Sequence, residues 1–429
     1  MTENPISYFF SCIFVTVAHL AMLANIWVNG KYDSPSDVLL LGGAVILLDF
    51  VWYIAMLFFK QKTFALSFLL ILILNMSVIF QSCFGGVELD KKHYITCIAA
   101  LIASRLGYHL CRDHKRLASH KLWIYAGIGV LTVAILTLTG SRSIWISLGP
   151  ITIQPSEFIK PLFALACATT VGEQMKKHKL LMFNVVWDNL IVLGIFFAIC
   201  FLQWWCRDLG SLPTFAGIYA AGFLLRICYP RAKFSKKTLI AAAAAVIAAA
   251  AVALKFAPAY VQDRLHSDIW SDVNGNGWQQ SRALIGIAKG SWMGRGPGMG
   301  DLHSVFAHEN DIVFATVSEE WGLLYALMMI LVILIILAVP LINPPRSYFH
   351  ATMVSCICAA ITVQTALNIF GSCNLIPFTG VTIPFISTGG SSMMTSGFMV
   401  GMLMASQNPD LRPPKAERKR PVPIRSEMQ

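Results

Sequence analysis

Residues 278–322 read WQQSRALIGIAKGSWMGRGPGMGDLHSVFAHENDIVFATVSEEWG. Most of the stretch is polar and glycine-rich, and its far end carries Asp311 straight into a largely apolar run that continues to 339. A carboxylate where a loop meets a membrane span is costly unless something uses it. The stretch therefore points to an architecture of membrane helices and to a polar end of it where chemistry is to be sought.

Working outward, the whole chain agrees. Its 429 residues are 56% hydrophobic and 13% charged, with a mean hydropathy of +0.64, against about 25% charged residues in an average protein. An ordinary soluble domain is excluded. A span needs about 20 apolar residues, and on that criterion twelve stretches qualify: 6–29, 37–59, 63–84, 93–110, 122–139, 157–172, 186–205, 211–228, 238–256, 312–339, 348–370 and 384–406. The first lacks a basic leader and a small-residue cleavage site, so it is expected to stay as a helix. The eleven cysteines lie mostly inside apolar runs without metal-ligand or disulfide spacing and read as small packing residues.

The net charge of +11 would suggest nucleic acid in a soluble chain. Here its location explains it. With the N-terminus inside, 21 of the 33 Lys and Arg fall on cytoplasmic segments and nine on the other face, as the positive-inside rule expects. No nucleic-acid partner is needed. The Pro- and Arg-rich segment 407–429 reads as a basic cytoplasmic tail near anionic lipid. Three polar segments, 140–156, 257–311 and 371–383, are then sent to the outer face, and the aromatic anchors Trp270, Trp278 and Trp292 suggest that the longest folds back over the bundle.

Each motif carries a bland reading beside a chemical one. GSRSIWISLGPITIQPSEFIK, at 140–160, offers Arg142 and Trp145 at the surface, then a Pro-Ser-Glu helix start in which Ser156 or Glu157 can satisfy free N–H groups. An interfacial anchor and an i,i+3 Glu157–Lys160 pair would account for it, but an ammonium one turn inside a span needs a partner or an anionic ligand. Arg207 and Asp208 read as an ion pair at a helix break or as the lining of a polar path. SDVNGNG, with Asp272, Asn274 and Asn276, starts like a calcium loop, yet Ala283 stands where the bidentate Glu is required. GRGPGMG, at 294–300, lacks the preceding strand of a dinucleotide fingerprint and reads as a turn bringing main chain close to a ligand or helix. Asp311 could be a helix cap, and Glu319 and Glu320 are expected to pair with a cation inside the bundle such as Lys160. Pro377, Pro384 and the run Gly389-Gly390-Ser391-Ser392 suggest a broken entry to the last span, which could equally serve close helix packing.

Taken in order, R-x-x-W-I-x-L-G with Q-P-S-E-x-x-K at 142–160, D-L-G at 208–210, G-x-G-x-G and D-x-x-F-A-x-x-x-E-E-x-G within 296–322, and P-F-x-x-x-G-G-S-S at 384–392 resemble the SEDS family of FtsW, RodA and SpoVE. The resemblance implies an all-α polytopic membrane protein of about twelve helices: a two-helix N-terminal extension, 1–62, without catalytic duty, a ten-helix core, 63–406, and the large extracytoplasmic loop 257–311. It also implies a multi-pass protein of the bacterial cytoplasmic membrane that polymerises lipid II into glycan strands for division, elongation or sporulation. Its partners would be a class B penicillin-binding protein and other divisome or elongasome membrane proteins, with lipid II and undecaprenyl-pyrophosphate-linked glycan as substrates. The family's essential acid maps onto Asp311. The surrounding P-E-x-H-T-D-F is here Ala307-His308-Glu309-Asn310-Asp311-Ile312, and Q-P-D-L-G is Cys206-Arg207-Asp208-Leu209-Gly210.

On that reading Asp311 is the base, and Arg142, Lys160 and Arg295 contact pyrophosphate. Trp145, Gln154, Ser156, Glu157, Asp208, Glu319, Glu320, Ser387, Gly389, Gly390, Ser391 and Ser392 shape or support a lipid groove. No metal ligands are assigned, and a divalent cation such as Mg2+ or Mn2+ is left open. A lipid II flippase and a non-catalytic scaffold of the cell-wall machinery are the alternatives.

Overall fold

The computed structural model describes residues 5–58, 64–138, 143–148, 151–171, 178–180, 183–185, 187–228, 269–270, 275, 277–345 and 347–408. The expected span 238–256, Arg142, the Asp272, Asn274 and Asn276 of the calcium-like run, and the basic tail from 409 onward lie outside the described residues. The helices are α1 (Pro5–Asn29), α2 (Pro35–Phe58), α3 (Ala65–Gln81), α4 (Lys91–Cys111), α5 (His114–Ser119), α6 (Lys121–Leu138), α7 (Pro155–Thr169), α8 (Trp187–Trp205), α9 (Leu212–Cys228), α10 (Trp278–Gly290), α11 (Val313–Trp321), α12 (Leu323–Ile342), α13 (Tyr348–Ser372) and α14 (Gly390–Ser406). Two antiparallel hairpins interrupt them: β1 (Ile146–Leu148) with β2 (Ile151–Ile153), and β3 (His178–Leu180) with β4 (Phe183–Val185).

Among the described residues seven helices, α1, α2, α4, α6, α8, α12 and α13, are long and apolar enough to cross a membrane. α12 shows why: Ala326, Met329, Ile333 and Ile336 are buried, while Leu324, Leu327, Leu331 and Leu334 on its other side are exposed. A helix apolar all round has lipid, not water, as its outer neighbour. The chain is an all-helical polytopic membrane protein, apart from the two short hairpins.

Two expected spans are built differently from their hydropathy. The stretch 312–339 is two helices, because Gly322 at φ +89° breaks it between Trp321 and Leu323. A Cβ at Gly322 would stand 2.4 Å from the Trp292 carbonyl oxygen, so the break is also where the glycine-rich loop crosses. The stretch 384–406 becomes helical only at Gly390. Pro384 and Phe385, the latter at φ +71°, precede a turn in which the Ser387 N–H donates to the Ile383 carbonyl at 3.2 Å.

Small residues fasten α14 to α4, at glycines that follow the Gly389–Ser392 run. A Cβ on Gly397 would lie 2.2 Å from the Ala100 carbonyl oxygen, and one on Gly401 1.9 Å from that of Ser104. In lipid such backbone approach replaces the hydrophobic effect as the packing force. Gly401→Ala should therefore force the two helices apart at a cost of about 1–3 kcal/mol, read as a lower melting temperature in detergent; an unchanged melting temperature would show that the seam yields freely.

The N-terminal helices are locked to the bundle by polar groups. His19 Nδ1 meets Asp49 Oδ2 at 2.8 Å, and Asn75 Nδ2 donates to Asp49 Oδ1 at 2.9 Å, so one side chain each from α1, α2 and α3 meet with no solvent exposure. An unpaired carboxylate there would be expensive, so the three polar groups fix which faces meet. The α1–α2 turn also reaches the glycine-rich loop: the Lys31 N–H donates to the Pro297 carbonyl at 2.8 Å.

Candidate active site

One end of the bundle gathers the segments that hold Asp311. Asp311 does not cap a helix, because α11 starts at Val313 with Ile312 as the residue before it and no side chain caps it. Instead the main chain turns at Ala307, φ +55°, and the Asp311 N–H donates to the Ala307 carbonyl at 2.8 Å. Asn368 of α13 donates through Nδ2 to the carbonyls of Val381 at 2.7 Å, Asp311 at 2.9 Å and Asn310 at 3.2 Å. Ser387 Oγ donates to the Asn310 carbonyl at 3.0 Å, and Thr388 Oγ1 to Asn310 Oδ1 at 3.0 Å. From α3, Gln81 Nε2 donates to the carbonyls of Glu309 at 3.0 Å and Ile386 at 2.8 Å. The loop before α11 is thus stitched to the broken entry of α14 through main-chain atoms.

These contacts leave the Asp311 carboxylate itself without a hydrogen-bond or ion-pair partner among the described residues. It is half-buried, against the left-handed turn at Gly380, φ +65°, where a Cβ would lie 3.4 Å from Asp311 Oδ2. Burial alone pushes its pKa up to about 7, since removing water penalises the charged form and nothing nearby repays it. A carboxyl poised near neutrality is the state wanted of a general base.

Next to Gly380 the same segment meets a second polar cluster. Gly210 approaches Thr379 so closely that a Cβ would stand 2.4 Å from its carbonyl oxygen. Asp208, two residues before, accepts from Ser211 Oγ at 2.7 Å, and Arg207 is not its ion-pair partner, contrary to expectation. Arg207 instead occupies the left-handed turn at φ +58°, which points adjacent charges to different surroundings. Burial raises the Asp208 pKa, opposed by the Ser211 hydroxyl and by the charge of Lys160. Lys160 itself, 1% exposed, is paired with Glu157 at 2.6 Å. Neither Ser156 nor Glu157 caps α7, which Gln154 begins without a side-chain cap; the Gln154 N–H donates to Ser391 Oγ at 3.0 Å, and Ser156 is buried. Ser392 Oγ lies 3.0 Å from Thr382 Oγ1, while Gly389 and Gly390 begin α14. Trp145 stays exposed just ahead of β1.

Glu319 and Glu320 do not pair with Lys160. Glu319 Oε2 accepts from the N–H groups of Asp301 at 3.0 Å and Leu302 at 2.8 Å, and Glu320 accepts from those of Gly298 at 2.9 Å and Gly85 at 3.2 Å. They anchor the glycine-rich loop by its main chain. Arg295 joins them, held by Asp301 at 2.6 Å and Glu319 at 3.3 Å. Its charge is met by carboxylates, so its place is in the loop fastening. Glu319→Ala should speed hydrogen exchange at the Asp301 and Leu302 amides at least tenfold, since a buried amide left unpaired costs about 1–3 kcal/mol; unchanged protection there would show that other bonds carry the loop.

Asn368, Gln81 and the Thr379-Gly380 pair did not stand out from the sequence. The signal that could have found the first two is an amide inside an apolar run, at ALNIF and VIFQS, which a bilayer tolerates only with partners. Among the described residues no group of three or more His, Cys, Asp or Glu could hold a metal ion.

Fold and site together define a class: a polytopic helical membrane protein with one unpaired carboxylate presented at an end of the bundle beside a buried Lys-Glu-Asp cluster. Residues 51–409 match the FtsW/RodA/SpoVE family, described as cell cycle protein, and the chain belongs to this SEDS family. Over 280 residues it is 32% identical to the "Probable peptidoglycan glycosyltransferase FtsW" of Alcanivorax borkumensis, covering 62% of this chain and 69% of that protein. Its fold is similar to that of a chain in the structure described as "Structural coordination of polymerization and crosslinking by a peptidoglycan synthase complex", with a TM-score of 0.61 at 20% identity over 80% of this chain and 96% of that one. It is also similar to the rod shape determining protein RodA of Thermus thermophilus, with a TM-score of 0.52 at 19% identity over 80% of this chain and 95% of that one.

Proposed function

We propose that this chain is a peptidoglycan glycosyltransferase that polymerises lipid II at the outer face of the bacterial cytoplasmic membrane. The observation that carries the reading is Asp311: a carboxylate with no partner, raised by burial to about 7, on main chain held by Asn368. Family membership and the 32% identical relative support the substrate. In the reaction the 4-hydroxyl of one lipid II attacks the anomeric carbon of the growing lipid-linked glycan with inversion. The new glycosidic C–O bond forms as the bond to pyrophosphate breaks, Asp311 takes the hydroxyl proton, and undecaprenyl pyrophosphate leaves. One base and a cationic site for the leaving group suffice. Arg142 and Lys160 supply that charge in our reading. Arg295 is given no pyrophosphate contact because two carboxylates, Asp301 and Glu319, already hold it, whereas Lys160 has the single ion-pair partner Glu157 among the described residues.

The same reading places twelve spans in the membrane, both termini in the cytoplasm and the Asp311 end outside, with residues 63–406 as the core. A class B penicillin-binding protein is the proposed partner, supported by the likeness to a chain of a peptidoglycan synthase complex. Purified chain with candidate transpeptidases, given lipid II, should produce glycan strands. Substrate that crosses the bilayer unpolymerised would point to a flippase, and substrate left untouched to a scaffold.

A further inference from the structure

Beside the Asp311 segment, the α1–α2 and α3–α4 turns border an open polar cavity of about 940 Å³. The two turns are joined by main chain, the Val87 N–H donating to the Lys31 carbonyl at 3.2 Å, and the Lys31 N–H ties them to Pro297 of the glycine-rich loop. Lys31, Lys91 and Lys92 line the cavity together with four carboxylates, Asp33, Asp37, Glu88 and Asp90. Lys31, Asp33, Glu88, Lys91 and Lys92 are solvent-exposed and Asp37 and Asp90 half-buried, and none of the seven forms an ion pair with another described residue. Gln81, also in the lining, is 7% exposed and its Oε1 has no hydrogen-bond partner among the described residues. Its Nε2 is the group that holds the Glu309 carbonyl, two residues before Asp311. The cavity and the candidate base thus share a wall.

We propose that this cavity is a substrate subsite for a short peptide bearing both carboxylates and a free amine, namely the stem peptide carried by the lipid-linked disaccharide. The assignment rests on the glycosyltransferase reading for the identity of that peptide. The lining chemistry selects it. A pyrophosphate would be opposed by the four carboxylates, and a bare cation by the three lysines, whereas a ligand carrying both charges can meet each sign with its opposite. The volume is that of a small-molecule site, about 300–1,000 Å³. Asp33 and Lys31 come from the N-terminal hairpin, most of which precedes the family match beginning at residue 51. The hairpin is therefore a specificity element rather than a passive extension.

The test uses the full chain in lipid nanodiscs with the photo-reactive substitution Leu89→p-benzoylphenylalanine, Leu89 being another lining position. Samples receive lipid II with its whole stem or lipid II cut back to the first stem residue, and are irradiated. Whole-stem substrate should be labelled roughly tenfold more, the worth of one charge-assisted hydrogen bond. Combining Lys31→Ser, Lys91→Ser and Lys92→Ser should lower whole-stem labelling to the truncated level at an unchanged melting temperature. Equal labelling of the two substrates by the parent chain overturns the proposal, and that arm does not depend on the triple variant folding. Whole-stem labelling untouched in a folded triple variant overturns it as well. Polymerisation, measured in parallel with the partner, separates the two readings: polymer without stem-dependent labelling removes only the subsite, and stem-dependent labelling without polymer removes only the glycosyltransferase.

Discussion

Asp311→Asn is expected to abolish lipid II polymerisation by purified chain and partner, with a loss of about 10²–10⁴-fold, the worth of a positioned general base. The chain should still fold, because the contacts that fix residue 311 go to its N–H and carbonyl. In the parent protein, kcat/KM should fall tenfold per pH unit below about 7, where Asp311 becomes protonated. The sign for stability is the reverse of the usual carboxylate. An unfolded aspartic acid titrates near ~3.9, so the folded state binds the proton more tightly; the stability Asp311 contributes is complete below that value and is lost as the pH rises through about 7. Asp311→Asn should consequently flatten the decline in melting temperature between about pH 4 and pH 7, the window between the two pKa values. Glycan strands made by the Asn variant, or an acid limb that stays at pH 4, would remove Asp311 from the mechanism.

The second large effect is expected at Lys160. With side-chain exposures of 1% and 7%, the Lys160–Glu157 pair is nearly free of water, and removing one partner of such a pair costs about 3–5 kcal/mol because the other charge is stranded. Lys160→Met alone should therefore lower expression and melting temperature sharply. Lys160→Met combined with Glu157→Gln removes both charges and should recover most of that loss. Polymerisation should stay lost in the recovered double variant if Lys160 meets the leaving pyrophosphate. Full activity there would reduce the pair to a structural fastening.

The membrane helices were legible because apolar runs such as Leu323–Ile342 have no other stable home. Of the breaks within them, the broken entry to the last span was legible from its prolines and glycines, and the one at Gly322 was not. A single Gly322 barely changes the hydropathy of its neighbourhood, yet its φ of +89° divides a span in two. Asp311 and the Glu157–Lys160 pair could be reached from sequence, the first by its place and resemblance and the second by its i,i+3 spacing. The partners of Glu319 and Glu320 could not, since they are main-chain amides 17 to 22 residues upstream and, at Gly85, in another loop altogether. Adjacency misled at Arg207–Asp208, where a left-handed turn separates the two charges. Side-chain pairing rules see neighbours in sequence, and this site is fastened mostly by distant backbone.

The clasp of Asn368 on the carbonyls around Asp311 has a genetic consequence. Scaffold and chemistry are held by different atoms of the same residue, so losing the carboxylate need not lose the architecture. An allele encoding Asn at 311 would yield a chain that reaches the membrane, occupies its partner and stays silent. Under the proposed function, such an allele should interfere with an intact copy in the same cell, whereas one encoding Ala at 368 should be simply recessive.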